Sequence, residues 1–169
     1  SNQLVGANYD AEAKSYKVTD TGGDLTVNLT DLHDDQIMIQ GFTTEFWFRQ
    51  ISQTGTEKTF LRIGSFDGNA VDYLNLQVMI NGIQLEWDNF VIHATSSNLK
   101  MFDWLYIALW RQESSWHLLV GQNNQYYLSS PSTNTPDNMR GIGNLMLRAS
   151  NVDGIQYYIR DIFVSNGRE

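Results

Sequence analysis

The chain has 169 residues, 41% of them hydrophobic and 12% aromatic, enough for one substantial core, and a single domain over 1–169 is expected. With 19 acidic residues against 11 basic ones, the formal net charge of -8 repels nucleic acid and anionic membrane surfaces, whereas calcium and neutral partners suit it. The absence of cysteine excludes disulfides, thiolate zinc sites and thiol catalysis, and leaves the redox compartment open.

Taken in chain order, the sequence alternates with period two and almost never with a helical period. No apolar run approaches the roughly 18 residues of a membrane span, so no membrane insertion is expected. The Ser1-Asn2 start leads into no basic-then-apolar segment, which fits an excised or processed soluble domain with flanking domains in a larger chain. Leu25, Val27 and Leu29 alternate with Thr26 and Asn28. Phe42, Thr44, Phe46 and Phe48 alternate with Thr43, Glu45, Trp47 and Arg49, so each run predicts a strand with one face inward. Further strands are predicted over Thr59–Ile63, Tyr73–Ile80, Ile83–Trp87, Phe90–Ala94 and Trp104–Arg111. Trp116–Val120, Gln125–Ser129, Leu145–Arg148 and Tyr157–Ser165 follow. Their regular spacing predicts an all-β, two-sheet antiparallel sandwich.

Turn residues fall between these runs. Asn81-Gly82 predicts a type I′ hairpin, because such a pair supplies two positive φ angles. Gly22-Gly23, Asp67-Gly68, Gln122-Asn123-Asn124 and Asp153-Gly154 mark other turns. Both prolines, Pro131 and Pro136, fall in Ser129–Gly143, the longest predicted loop.

Three groups of motifs, in this order, resemble a known family. They are Phe42-Thr-Thr-Glu-Phe-Trp-Phe-Arg with Thr59-Phe-Leu-Arg-Ile-Gly-Ser; Asp72-Tyr-Leu-Asn-Leu-Gln-Val; and Trp104-Leu-Tyr-Ile-Ala-Leu-Trp-Arg, Trp116-His-Leu-Leu-Val-Gly and Ile159-Arg-Asp-Ile-Phe-Val-Ser-Asn. Together they resemble a distant member of the concanavalin A-like lectin/glucanase superfamily, on its laminin G-like branch. The resemblance spans roughly residues 40–166 and implies a jelly-roll with ligands on its concave face or rim loops, residues 1–40 adding edge strands. It also implies that Trp104 and Trp116 pack into the core. Two departures are the missing cysteine pair near the C-terminus and Tyr158, where a glycine often precedes the last strand.

Catalysis finds little support. Laminarinase-type relatives alternate acids along one strand to set a nucleophile and an acid about 5–5.5 Å apart. Glu86-Trp-Asp88 is the nearest fragment, but the next same-face positions are Phe90 and Ile92, so the catalytic motif is absent and no enzyme is expected. His33, His93 and His117 show no ligand-like spacing, and there is no Gly-x-Ser-x-Gly elbow.

Binding chemistry is better represented. Trp47 lies on the face opposite Phe46 and Phe48, so with Glu45 and Arg49 it can line a groove, although a half-covered face would also hold a tryptophan. Tyr126 and Tyr127 point to opposite faces, leaving one available, and Tyr127 is taken with Asn134 as a ligand-binding candidate. The Ser129–Arg140 loop, rich in Ser, Thr, Asn and Pro, is either a contact surface or a plain connection. The resemblance implies calcium at Asp72, with Asp153 the candidate second ligand. Asp72 as a turn cap and Asp153-Gly154 as a hairpin tip are the simpler alternatives.

The expected function is noncatalytic recognition or adhesion, binding a glycan or an extracellular protein at the cell surface or outside the cell. A structural or oligomerising sandwich is the second reading, and a glycoside hydrolase of the same fold the third.

Overall fold

The computed structural model describes residues 4–6, 8–18, 25–28, 42–52, 58–65, 73–87, 90–112, 115–129, 145–149 and 155–165. Fourteen strands fall within them, and the described residues contain no helix. In order they are β1 (Leu4–Gly6), β2 (Asn8–Asp10), β3 (Ser15–Val18), β4 (Leu25–Asn28), β5 (Thr43–Ser52), β6 (Lys58–Ser65) and β7 (Tyr73–Met79). Then come β8 (Gly82–Trp87), β9 (Phe90–Thr95), β10 (Leu105–Gln112), β11 (Ser115–Gln122), β12 (Gln125–Leu128), β13 (Leu145–Ala149) and β14 (Gln156–Ser165).

They form two antiparallel sheets of seven strands each, as the alternation predicts. The first runs β1-β4-β13-β6-β7-β8-β9 and the second β12-β11-β10-β5-β14-β3-β2. The N-terminal strands β1 and β2 are edges of the two sheets, matching the expectation for the start of the chain.

Between the sheets lies one core. Phe42, Phe46 and Phe48 from β5 and its approach meet Phe60, Leu61 and Ile63 of β6, all with no exposed surface. Each such fully buried side chain contributes roughly 1.5–3 kcal/mol of transfer free energy. Phe48 and Phe60 stand 4.3 Å apart between ring centroids, and Tyr157 of β14 lies 5.2 Å from Phe48. Phe60 is a bulge, since Thr59 pairs with Gln77 and Leu61 with Leu76. Its carbonyl accepts the Tyr157 hydroxyl across the core instead, which satisfies a buried polar group and joins the two sheets.

Two details depart from the sequence reading. Asn81-Gly82 does not form the type I′ turn. Gly82 already belongs to β8, paired with Met79, so the central residues are Ile80 and Asn81, and neither has positive φ. Gly82 is instead set by crowding, because a β-carbon there would stand 2.1 Å from the Ala94 carbonyl oxygen on β9. The turn with two positive φ angles is Asn123-Asn124 (53° and 63°), joining β11 to β12.

The second departure is Trp104. Leu105, one residue later, takes the buried position that opens β10, and Trp104 is half-buried on the outer face. Core burial therefore holds for Trp116, 1% exposed, and not for Trp104.

Candidate functional site

The inward phase of each strand in the second sheet fixes what its outer face displays. On β5, burial of Phe46 and Phe48 turns Glu45, Trp47 and Arg49 outward. On β10, burial of Leu105, Ile107 and Leu109 turns Tyr106, Ala108 and Trp110 outward. On β11, Leu118 and Val120 point inward, leaving His117, Leu119 and Gly121 outside.

Register then assembles these side chains into rows across the strands. Trp47 lies opposite Tyr106, Tyr106 opposite Gly121, and Gly121 opposite Tyr126 of β12. The neighbouring row is Glu45, Ala108, Leu119 and Leu128. At about 4.8 Å per strand, the row from Trp47 to Tyr126 is ~14 Å long. Small residues lie low between large ones, so Ala108 and Gly121 form the floor of an open groove of ≈ 960 Å³.

Aromatic rings make its walls. Trp47 and Tyr106 pack at 5.6 Å with their planes tilted by 59°, and Trp110 stacks on His117 at 5.2 Å. Tyr126, 65% exposed, lies over Gly121 at the sheet edge. The Asn123-Asn124 turn borders the groove at the end of β11 with exposed amides. A smaller cavity of ≈ 430 Å³ shares Trp47, Gln122 and Asn123 and adds Arg49, Asp103 and Trp104.

Fixed contacts hold this face. The Tyr106 hydroxyl donates to Glu45 Oε2 at 2.5 Å. Burial and the Glu45 carboxylate together push the phenol well above its usual range, so it stays a hydrogen-bond donor at neutral pH. Gln122 binds the 96–104 connection, its Oε1 accepting from Lys100 N at 2.9 Å and its Nε2 donating to Lys100 O at 2.9 Å. Arg160 of β14, opposite Trp47, stacks its guanidinium 4.2 Å from the Trp104 ring and 5.8 Å from Trp47. Beyond it β14 bulges, with Asp161 at φ 55°, so Phe163 returns to the outer face opposite Glu45.

Glu45, Trp47 and Arg49 are therefore brought together, as the alternation expects. Tyr127 is not with them. It is half-buried and packs against the core, so the tyrosine at the groove is Tyr126. Asn134, Asp72, Asp153 and all of the Ser129–Arg140 loop except Ser129 lie outside the described residues. Tyr106, Gly121, Asn123 and Asn124 were missed as groove residues. The phase of Leu105, Ile107 and Leu109 is the signal that could have found Tyr106.

Glu86 is held in a cross-strand ladder, where Asn75 Nδ2 donates to Glu86 Oε2 at 3.1 Å and Arg62 Nε donates to Asn75 Oδ1 at 3.0 Å. Among the described residues no three His, Cys, Asp or Glu side chains gather as a metal site, and the lining of the larger groove contains no carboxylate.

No family model matches the chain, and no curated protein matches it. Solved structures do. The binding domain of botulinum neurotoxin DC in complex with SialylT superposes with a TM-score of 0.66 at 12% identity, covering 100% of this chain and 43% of that one. A botulinum neurotoxin type C structure, described with cell entry that depends on two ganglioside molecules, gives 0.66 at 13% identity, covering 100% and 44%. A carbohydrate esterase from Shiga toxin-encoding bacteriophage phi24B gives 0.56 at 10% identity, covering 97% and 86%. The chain thus spans less than half the length of the neurotoxin domains, and at these identities the likeness shows a shared sandwich fold.

Proposed function

We propose that the chain is a noncatalytic carbohydrate-recognition module and that an extended glycan lies in the groove on the outer face of the second sheet. One observation carries the reading: Trp47, Tyr106 and Tyr126 share a row across four strands above a floor of Ala108 and Gly121. Aromatic faces in such a row stack on the apolar faces of successive sugar rings, and the Asn123 and Asn124 amides and Arg49 bind hydroxyls. The ~14 Å row matches about three pyranose rings at the strand spacing. A neurotoxin binding domain of the same fold in complex with SialylT, and a type C neurotoxin whose cell entry is described as dependent on interaction with two ganglioside molecules, support glycan binding, and with it an extracellular or cell-surface setting as part of a larger chain. The finer laminin G-like assignment rests on the order of the aromatic strands alone.

Retaining hydrolysis needs two carboxyl groups about 5–5.5 Å apart. Glu45 is bound to Tyr106 and Glu86 to Asn75, which supports recognition over cleavage. A protein partner is the second reading, favoured by Tyr126 and by Leu128, 59% exposed, side by side on edge strand β12. Another neurotoxin DC binding domain, in complex with rat synaptotagmin II, gives it a precedent on this fold, at TM-score 0.65 and 11% identity over 44% of that chain.

A glycan array tests the proposal, with Trp47→Ala and Tyr126→Ala as variants. Binding by the native chain that both substitutions abolish is expected. An empty array with tight self-association in sedimentation would give the face to a protein partner.

A further inference from the structure

We infer that the smaller cavity at the end of the groove is a subsite for a sugar residue bearing a carboxylate, with Arg49 reading the acid. This deepens the carbohydrate reading and rests on it.

Trp47 and Asn123 line both cavities, so the ≈ 430 Å³ space continues the ≈ 960 Å³ groove. A ring stacked at Trp47 therefore turns its substituents toward Arg49, Asp103 and Asn123. Arg49 is exposed, and its Nε donates to the Phe102 carbonyl at 3.4 Å, a contact that leaves both terminal nitrogens to a ligand. No ion pair joins it to Asp103 or to any other described carboxylate. In a chain of net charge -8, a guanidinium without a carboxylate partner in a cavity wall stands out. Gln122 and Arg160 are turned to other contacts. Gln122 binds the backbone of the 96–104 connection, and Arg160 lies on Trp104 with Nε 3.7 Å from Asp161.

Chemistry selects the ligand. A planar guanidinium fork matches a carboxylate through two parallel hydrogen bonds, stronger than those to a hydroxyl. Asp103, in the same wall, accepts from hydroxyls of the same ring and repels chains with denser negative charge, such as sulfated ones. The Trp47 side of the groove thus reads the acid, and the rest of the chain leaves across Tyr126, where β12 ends the sheet.

The test uses the native chain with paired probes differing only in the acid: tetragalacturonate against its carboxyl-reduced counterpart, and sialyllactose against lactose. A heparin-derived tetrasaccharide supplies the sulfate arm. In at least one pair the acidic member is expected to bind about tenfold more tightly. Arg49→Gln removes that difference by weakening the acidic member far more than the neutral one, with the thermal midpoint unchanged, while Asp103→Asn widens it. Equal binding of both members of every pair overturns the inference while leaving the groove reading intact. So does an equal loss for both in Arg49→Gln, or a preference for the sulfated probe. If the array and these probes all fail to bind the native chain, the carbohydrate reading itself falls.

Discussion

Tyr126 lies across Gly121, its ring carbons Cδ1 and Cε1 standing 2.8 and 2.9 Å from where a β-carbon on that glycine would be. The ring fills the space the glycine leaves and covers an otherwise bare stretch of β11 backbone, as aromatic residues do for glycines in sheets. Gly82 faces a different neighbour, the backbone carbonyl of Ala94.

These two glycines should therefore respond differently to alanine. In Gly121→Ala the obstacle is an exposed side chain that can swing into solvent, so glycan affinity falls several-fold while the thermal midpoint moves by no more than about 2–4 °C. In Gly82→Ala the obstacle is backbone in the adjacent strand, and about 1–3 kcal/mol of stability is lost. Urea unfolding beside glycan titration separates the two effects.

The two tryptophans near β10 and β11 make a second pair. Trp116 is 1% exposed and packs 6.3 Å from Phe42, so Trp116→Ala should cost about 3–5 kcal/mol. Trp104 is half-buried on the outer face, and Trp104→Ala should cost about 1 kcal/mol, mainly through loss of the Arg160 stack. Equal losses in urea melts would place Trp104 back in the core.

A third expectation concerns alkaline pH. The folded chain raises the Tyr106 phenol through burial and then through Glu45, so the native state binds a proton that the unfolded chain releases near pH 10. This contribution is complete below pH ~10 and declines as pH rises above it. Tyr106→Phe should flatten that decline. Glu45→Gln should reduce it, leaving the part due to burial. Thermal melts from neutral to alkaline pH read the slope.

Calcium at Asp72 and Asp153 is a proposal that a titration can decide. Tyr73 pairs with Gly64, Gly64 with Met146, and Ala149 closes β13 at its other end. A shared site predicts that calcium raises the melting temperature by mass action and that Asp72→Ala and Asp153→Ala each abolish the rise. A rise that survives either substitution overturns it.

Local alternation made the strands legible, and with them the outward direction of Glu45, Trp47 and Arg49. Alternation identifies residues that share a face without saying which face a distant strand will cover, so Tyr127 was chosen although it is Tyr126 that lines the groove. Trp104 shows the opposite failure. The resemblance suggested burial, while Leu105, Ile107 and Leu109 already implied exposure. The groove was the least legible feature, because its rows arise from cross-strand register between residues as far apart as Trp47 and Tyr126. Asn81-Gly82 had the composition of a tight turn, yet close approach of β9 sets the glycine.

β14, Gln156–Ser165, sits between β5 and β3 in the middle of the second sheet. During synthesis the groove strands β5, β10, β11 and β12 all leave the ribosome before the strand that flanks them on the inner side. Arg160, which braces Trp47 and Trp104, arrives with it. A nascent chain stalled before residue 156 would therefore display the groove's aromatic residues on an unfinished sheet with an open β5 edge, a species suited to chaperone capture and to aggregation. The groove should consequently be acquired late and all at once, when β14 inserts.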